Sequence, residues 1–211
     1  GMIEIEHVEK SFKEVKVLKD ISLICEPGKI YGIVGRNGSG KTVLFKCICG
    51  FLRCDRGEIR VDGKVMGKDL DMLKNVGIII EEPGFLRKMS GFRNLEYLYT
   101  IRNRKDNDHI KKIMEKVGLD PRMKKSVGKY SMGMRQRLAI AQAIMEDPDI
   151  LILDEPMNGL DKNGVEEFRK IFLTMKSEGK LILLATHSKE DIDMLCDKVY
   201  EMDAGSLTEL K

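Results

Sequence analysis

Tyr130–Asp161 reads YSMGMRQRLAIAQAIMEDPDILILDEPMNGLD. A turn of small residues opens the stretch, a helical pattern follows to about Glu146, and Pro148 stops it. Four aliphatics, Ile150–Leu153, then run into Asp154 and Glu155. A short apolar run of this kind reads as a strand buried on both faces. Open parallel sheets bind ligands beyond the carboxyl ends of their strands. Asp154 is therefore expected to hold a metal, and Glu155, one step on and pointing elsewhere, to meet the reacting group.

Upstream stands Gly35-Arg36-Asn37-Gly38-Ser39-Gly40-Lys41-Thr42, followed by Val43. It fits the phosphate-loop pattern GxxxxGK[ST], and it lies between an expected strand, Ile30–Val34, and a helix expected from Lys41. Glycines let the backbone curl round phosphate oxygens, and the helix N-terminus adds free N–H groups. Lys41 is expected on the β- and γ-phosphates and Thr42 on Mg²⁺. Beyond the apolar run Leu181–Thr186 comes His187, placed at a strand end where an imidazole can reach a γ-phosphate or can serve structure alone.

The other segments alternate in the same way. Met2–His7 and Val15–Cys25 read as strands, with a polar turn expected at Lys19-Asp20. Gly57–Met66 reads as strand and turn, Val76–Ile80 as a buried strand, and Val199–Met202 as the last strand. Helices are expected from Lys41 with Leu44, Ile48 and Phe51 on one face, through Phe92–Arg102, through Ile110–Val117, from Val165 to Met175, and from Ser188 to Cys196. Alternating strand and helix predict an α/β fold with a parallel sheet. The expected organisation is one domain over 2–211. Its core and β subdomain would occupy 2–84 and 149–211, its helical insert about 85–130, and a helix 131–148.

Composition sets bounds. The chain has 211 residues, 34% of them charged, and a net charge of +3, too small to point to nucleic acid. No apolar run approaches the roughly 18 residues of a membrane span, and no signal peptide is expected. Five cysteines without a CxxC pair, and three histidines, read as reduced thiols rather than a metal or disulfide framework.

Taken in order, the phosphate loop, YSMGMRQR, LILDEP, NGLD and the histidine after LLAT resemble the ATP-binding subunit of ABC transporters. The resemblance covers essentially the whole chain. It implies a P-loop NTPase core with an N-terminal antiparallel β subdomain, and ATP with Mg²⁺ as the bound species. Phe12 then matches the aromatic that stacks on adenine. Ser131 and Gly133 match the signature turn that caps the γ-phosphate held by the opposite subunit. Asp161 matches the acid that contacts that subunit. Glu155 would be the catalytic base and His187 the switch histidine.

Two departures stand out. Met132 and Met134 replace a small residue and a glutamine of the signature. Glu81, in VGIIIEEPGFL, stands where the family carries a metal-contacting glutamine. EEPGF and the YS-x-GM turn resemble the bacitracin and lantibiotic export and immunity branch. The implied partners are a second cassette, paired when ATP is bound, and a separate membrane permease, a short helix of which the groove around Glu81–Asn94 and the helical insert would grip. The implied place is the cytoplasmic face of the membrane, with an antimicrobial peptide or similar amphipathic cargo. The alternative is a non-transport ABC ATPase clamping a soluble partner. A P-loop kinase leaves YSMGMRQR unexplained.

Overall fold

The computed structural model describes residues 1–82 and 84–211; Pro83, inside the EEPGF motif, lies outside them. Along the chain run β1 (Ile3–Phe12), β2 (Val15–Cys25), β3 (Ile30–Val34), α1 (Lys41–Cys49), β4 (Arg56–Val61), β5 (Lys64–Val65) and β6 (Val76–Ile79). Then come α2 (Gly91–Thr100), α3 (Asn107–Lys116), a 3₁₀ turn (Val127–Lys129) and α4 (Met132–Ile144). The last part holds β7 (Ile150–Asp154), α5 (Lys162–Ser177), β8 (Leu181–Ala185), α6 (Lys189–Leu195), β9 (Lys198–Asp203) and β10 (Ser206–Glu209).

Two sheets result. The first is antiparallel, in the order β2-β1-β4-β5. The second runs β10-β9-β3-β8-β7-β6, parallel throughout except for the edge strand β10. The apolar runs behave as a doubly covered sheet requires. Ile150, Ile152, Leu181 and Leu183 pack with α1 and the antiparallel sheet in one core. Their alternates Leu151, Leu153, Ile182 and Leu184 pack against α4, α5 and α6 in the other. Burial on both faces explains why these strands carry no polar alternation. Helix α1 is thus clamped between two sheets, which fixes the loop before it. The α2–α4 helices leave the sheet after β6 and return to it at β7.

Three local expectations are corrected. No turn forms at Lys19-Asp20, because β2 is continuous there. Asp20 and His7 instead both take left-handed backbone (φ 52° and 48°), face each other through a 2.6 Å ring–carboxylate contact, and shift the β1–β2 register. That is a bulge, in which polar residues serve as well as they do in turns. Phe51 is not on the buried face of α1: the helix stops at Cys49, Gly50 caps it at φ 88°, and Phe51 is 46% exposed. Nor is Val199–Met202 the last strand. Left-handed Ala204 and Gly205 (φ 47° and 87°) turn the chain back into β10, a hairpin geometry that suits the strand twist.

Candidate functional site

Strands β3, β7 and β8 lie side by side, so the loops beyond their carboxyl ends share one edge of the sheet. A cleft of about 1050 Å³ opens there. Arg36, Asn37, Gly38, Gly40, Lys41, Thr42 and Val43 line one side, Asp154, Glu155 and His187 the floor, and Glu81 and Phe85 a further wall. Phe12, 43% exposed, stands at the rim.

The loop before α1 is shaped by its glycines. Gly40 precedes the helix at φ 112°, where a Cβ would press within 3.0 Å of the Val17 carbonyl. Gly38 (φ 80°) has open space beside it, so the backbone there is approachable from the cleft. Lys41 is buried at 6% exposure, and its ammonium donates to the Gly35 carbonyl. Among the described residues no carboxylate lies within ion-pair distance of it. A buried cation without an anion is costly unless an anion arrives. The Ser39 hydroxyl is likewise buried, with no hydrogen-bond partner among the described residues.

At the second residue of α1, the Thr42 hydroxyl donates to Asp154 Oδ2 at 2.9 Å, tying the helix to the end of β7. Both are hard oxygen donors, the chemistry that Mg²⁺ takes. Glu155 follows with left-handed backbone (φ 48°), held by its N–H on the Ala185 carbonyl at 2.8 Å. That conformation costs a non-glycine residue roughly 1–2 kcal/mol and swings the carboxylate onto the Nδ1 of His187. Burial raises the Glu155 carboxyl above its ordinary value, while His187 and Lys41 pull the other way. Glu81 repeats the device beyond β6, at φ 61°. Its described partner is the Lys46 ammonium at 2.6 Å.

The remaining candidates stand elsewhere. Ser131 accepts the Met134 N–H at 3.1 Å and caps α4; Asp161 accepts the Gly164 N–H at 2.8 Å and caps α5. Neither they nor Gly133 are among the residues that line the cleft, although Met132, Arg135 and Gln136 of the same turn and helix are. The sequence also left two participants unread. Lys46 pairs Glu81, and Gln136 donates to the Pro156 carbonyl at 2.6 Å. Met132, read only as a departure from the signature, packs on Gly159. Family-like arginine and glutamine in YSMGMRQR were the signal for Gln136; nothing local marked Lys46.

A clamped phosphate loop, an acid-tipped central strand and a capped signature helix on this double-sheet frame define an ABC-type ATPase cassette. A sequence profile of the ABC transporter family matches residues 18–158, and the chain belongs to that family. It is 42% identical over 206 residues to the uncharacterized ABC transporter ATP-binding protein YybJ of Bacillus subtilis, covering 98% of this chain and 94% of that one. It is 38% identical to the bacitracin transport ATP-binding protein BcrA of Enterococcus faecalis (99% and 68% covered). It is 34% identical to the lantibiotic transport ATP-binding protein SrtF of Streptococcus pyogenes (93% and 84%). Among solved structures, a dimeric bacterial ABC transporter cassette superimposes with a TM-score of 0.87 at 20% identity, over 99% of both chains.

Proposed function

We propose that this chain hydrolyses ATP to power a membrane transporter, and that two cassettes act as a pair. The observation that carries the proposal is the buried Lys41 ammonium, with no carboxylate at ion-pair distance among the described residues, beside the Thr42–Asp154 pair and the Glu155–His187 pair, all at one sheet edge. Such a group of charges suits a triphosphate, a divalent cation and an attacking water together.

In this reading the loop amides from Arg36 to Val43 and the Lys41 ammonium neutralise the β- and γ-phosphates. Phe12 stacks on the adenine at the rim. Thr42, Asp154 and Glu81 would hold Mg²⁺, which when bound neutralises phosphate charge and orients the leaving group. Glu155 accepts the proton of the water that attacks the γ-phosphorus as the bridging P–O bond to ADP breaks. His187 keeps that carboxylate aimed and meets the γ-phosphate. Ser131 and Gly133 of the other copy close the site, with Asp161 on the shared face. The groove near Glu81, Phe85 and Asn94, together with the helical insert, receives a short helix of a separate permease. The relatives named for bacitracin and lantibiotic transport support an antimicrobial peptide or similar amphipathic compound as the cargo.

Replacing Glu155→Gln tests the chemistry. Turnover is expected to fall by about 10²-fold or more, with ATP affinity kept. Undiminished turnover would remove Glu155 from the role. Recovery of an integral membrane protein with the tagged chain, rather than ribosomes or nucleic acid, tests the transport reading.

A further inference from the structure

The modest net charge of +3 conceals a division. Residues 85–130 carry thirteen Lys and Arg against five Asp and Glu, a net of +8 that leaves the remainder at −5. Every one of the thirteen is exposed. Two of them, Arg102 and Arg122, have an acidic partner; the others have none among the described residues. A solvated helical face normally mixes signs, which makes this imbalance unusual.

The charge also has an apolar companion. Helix α2 buries Gly91, Asn94 and Leu95. On its other face, helical spacing lines up Arg93, Tyr97 and Ile101, and Arg104 falls on the same line just past the helix. Tyr97 is 56% and Ile101 65% exposed. A ring with a polar tip and a β-branched aliphatic, set between guanidinium groups, suits a boundary where apolar tails meet phosphate headgroups. A purely acidic protein segment would pair the cations but would not cover Ile101 and the Tyr97 ring, whereas a lipid surface offers phosphate and apolar tails together.

We propose that the outer face of α2, with the basic residues that follow it, is a contact surface for anionic phospholipid headgroups. Tyr97 and Ile101 enter the headgroup layer, and Arg93, Arg104 and the neighbouring Lys105 pair with lipid phosphates. The cassette then rests on the bilayer through its own surface as well as through any permease. The contact requires no nucleotide and no second chain, so it stands or falls apart from the catalytic reading.

The test uses the full purified chain and sedimented vesicles, one set of phosphatidylcholine alone and one of equal parts phosphatidylcholine and phosphatidylglycerol, without permease. The chain should sediment with the anionic set, and added salt should release it. Arg93→Glu with Arg104→Glu should weaken binding by on the order of fivefold or more per residue reversed. Tyr97→Ser with Ile101→Ser should weaken it at unchanged charge. Reversing two exposed cations of the antiparallel-sheet region, Lys13→Glu and Lys64→Glu, should leave binding near that of the unaltered chain, and circular dichroism should be the same for all. Equal binding to both vesicle sets, failure to bind the anionic set at low salt, or equal losses from the two pairs of reversals would overturn the proposal. Binding to soluble polyglutamate but not to vesicles would also overturn it, and would assign the face to an acidic protein.

Discussion

Gly77 sits where β6 passes under α4, and its backbone makes no special demand. Space does: a Cβ there would lie 2.0 Å from the Ala143 carbonyl oxygen and 2.6 Å from Leu151. The Ala143 backbone cannot move as a side-chain tip can, and the Leu151 methyl is hemmed in by the core. Gly77→Ala should therefore destabilise the chain by about 1–3 kcal/mol, the usual cost of overpacking, read as a lowered midpoint in urea. An unchanged midpoint would mean that β6 and α4 can part without cost. At this scale the sequence was legible wherever a residue's role is set by its neighbours in the chain. Gly38, Lys41 and Thr42 belong to one contiguous loop, and Asp154 and Glu155 to one strand end. It was not legible where a partner lies across the fold. Lys46 is one turn beyond Thr42 on α1, yet its contact with Glu81 arises only once β6 is laid beside β7. The left-handed backbone at Glu81 and Glu155 was equally hidden, because nothing in an acid's identity requires it.

Helices α5 and α6 are joined by a buried ion pair. Arg169, on α5, donates through Nε to Asp191 Oδ1 at 2.8 Å and through Nη2 at 2.6 Å, with both side chains under 10% exposed. Removing one partner strands a buried charge, which costs more than the pair itself contributes. Asp191→Ala should lose about 3–5 kcal/mol, whereas Arg169→Met with Asp191→Leu should recover much of that loss. Chemical denaturation of the three variants checks the order, and a double variant as unstable as the single one would contradict it. The ends of these elements were readable for local reasons. Ser188 precedes α6 and accepts the Asp191 N–H, as the Ser-x-x-Asp spacing implies. The Lys19-Asp20 segment was not readable, since polar residues with left-handed backbone serve turns and bulges alike. Choosing between the two required knowing that His7 of β1 lies opposite.

For the molecule as a whole, alternation of strand and helix was enough to predict a parallel sheet, but not the order of its strands. That order places β3 between β8 and β9, and so puts the phosphate loop next to the Glu155–His187 edge. Ser131, Gly133 and Asp161 are not among the residues lining the cleft at that edge, although Met132, Arg135 and Gln136 beside them are. A serine and a glycine that do not line their own chain's cleft are expected to act on another. Chains carrying Glu155→Gln, which retain ATP, should therefore sediment as dimers with ATP and Mg²⁺ and as monomers with ADP. Adding Ser131→Glu places a carboxylate where the second chain's γ-phosphate would sit, and like charges repel at a desolvated interface. The doubly substituted chain should stay monomeric with ATP while a single chain binds the nucleotide as tightly as before. Loss of nucleotide affinity in the monomer would show that Ser131 serves its own site; persistence of the dimer would show that the pair closes through some other surface.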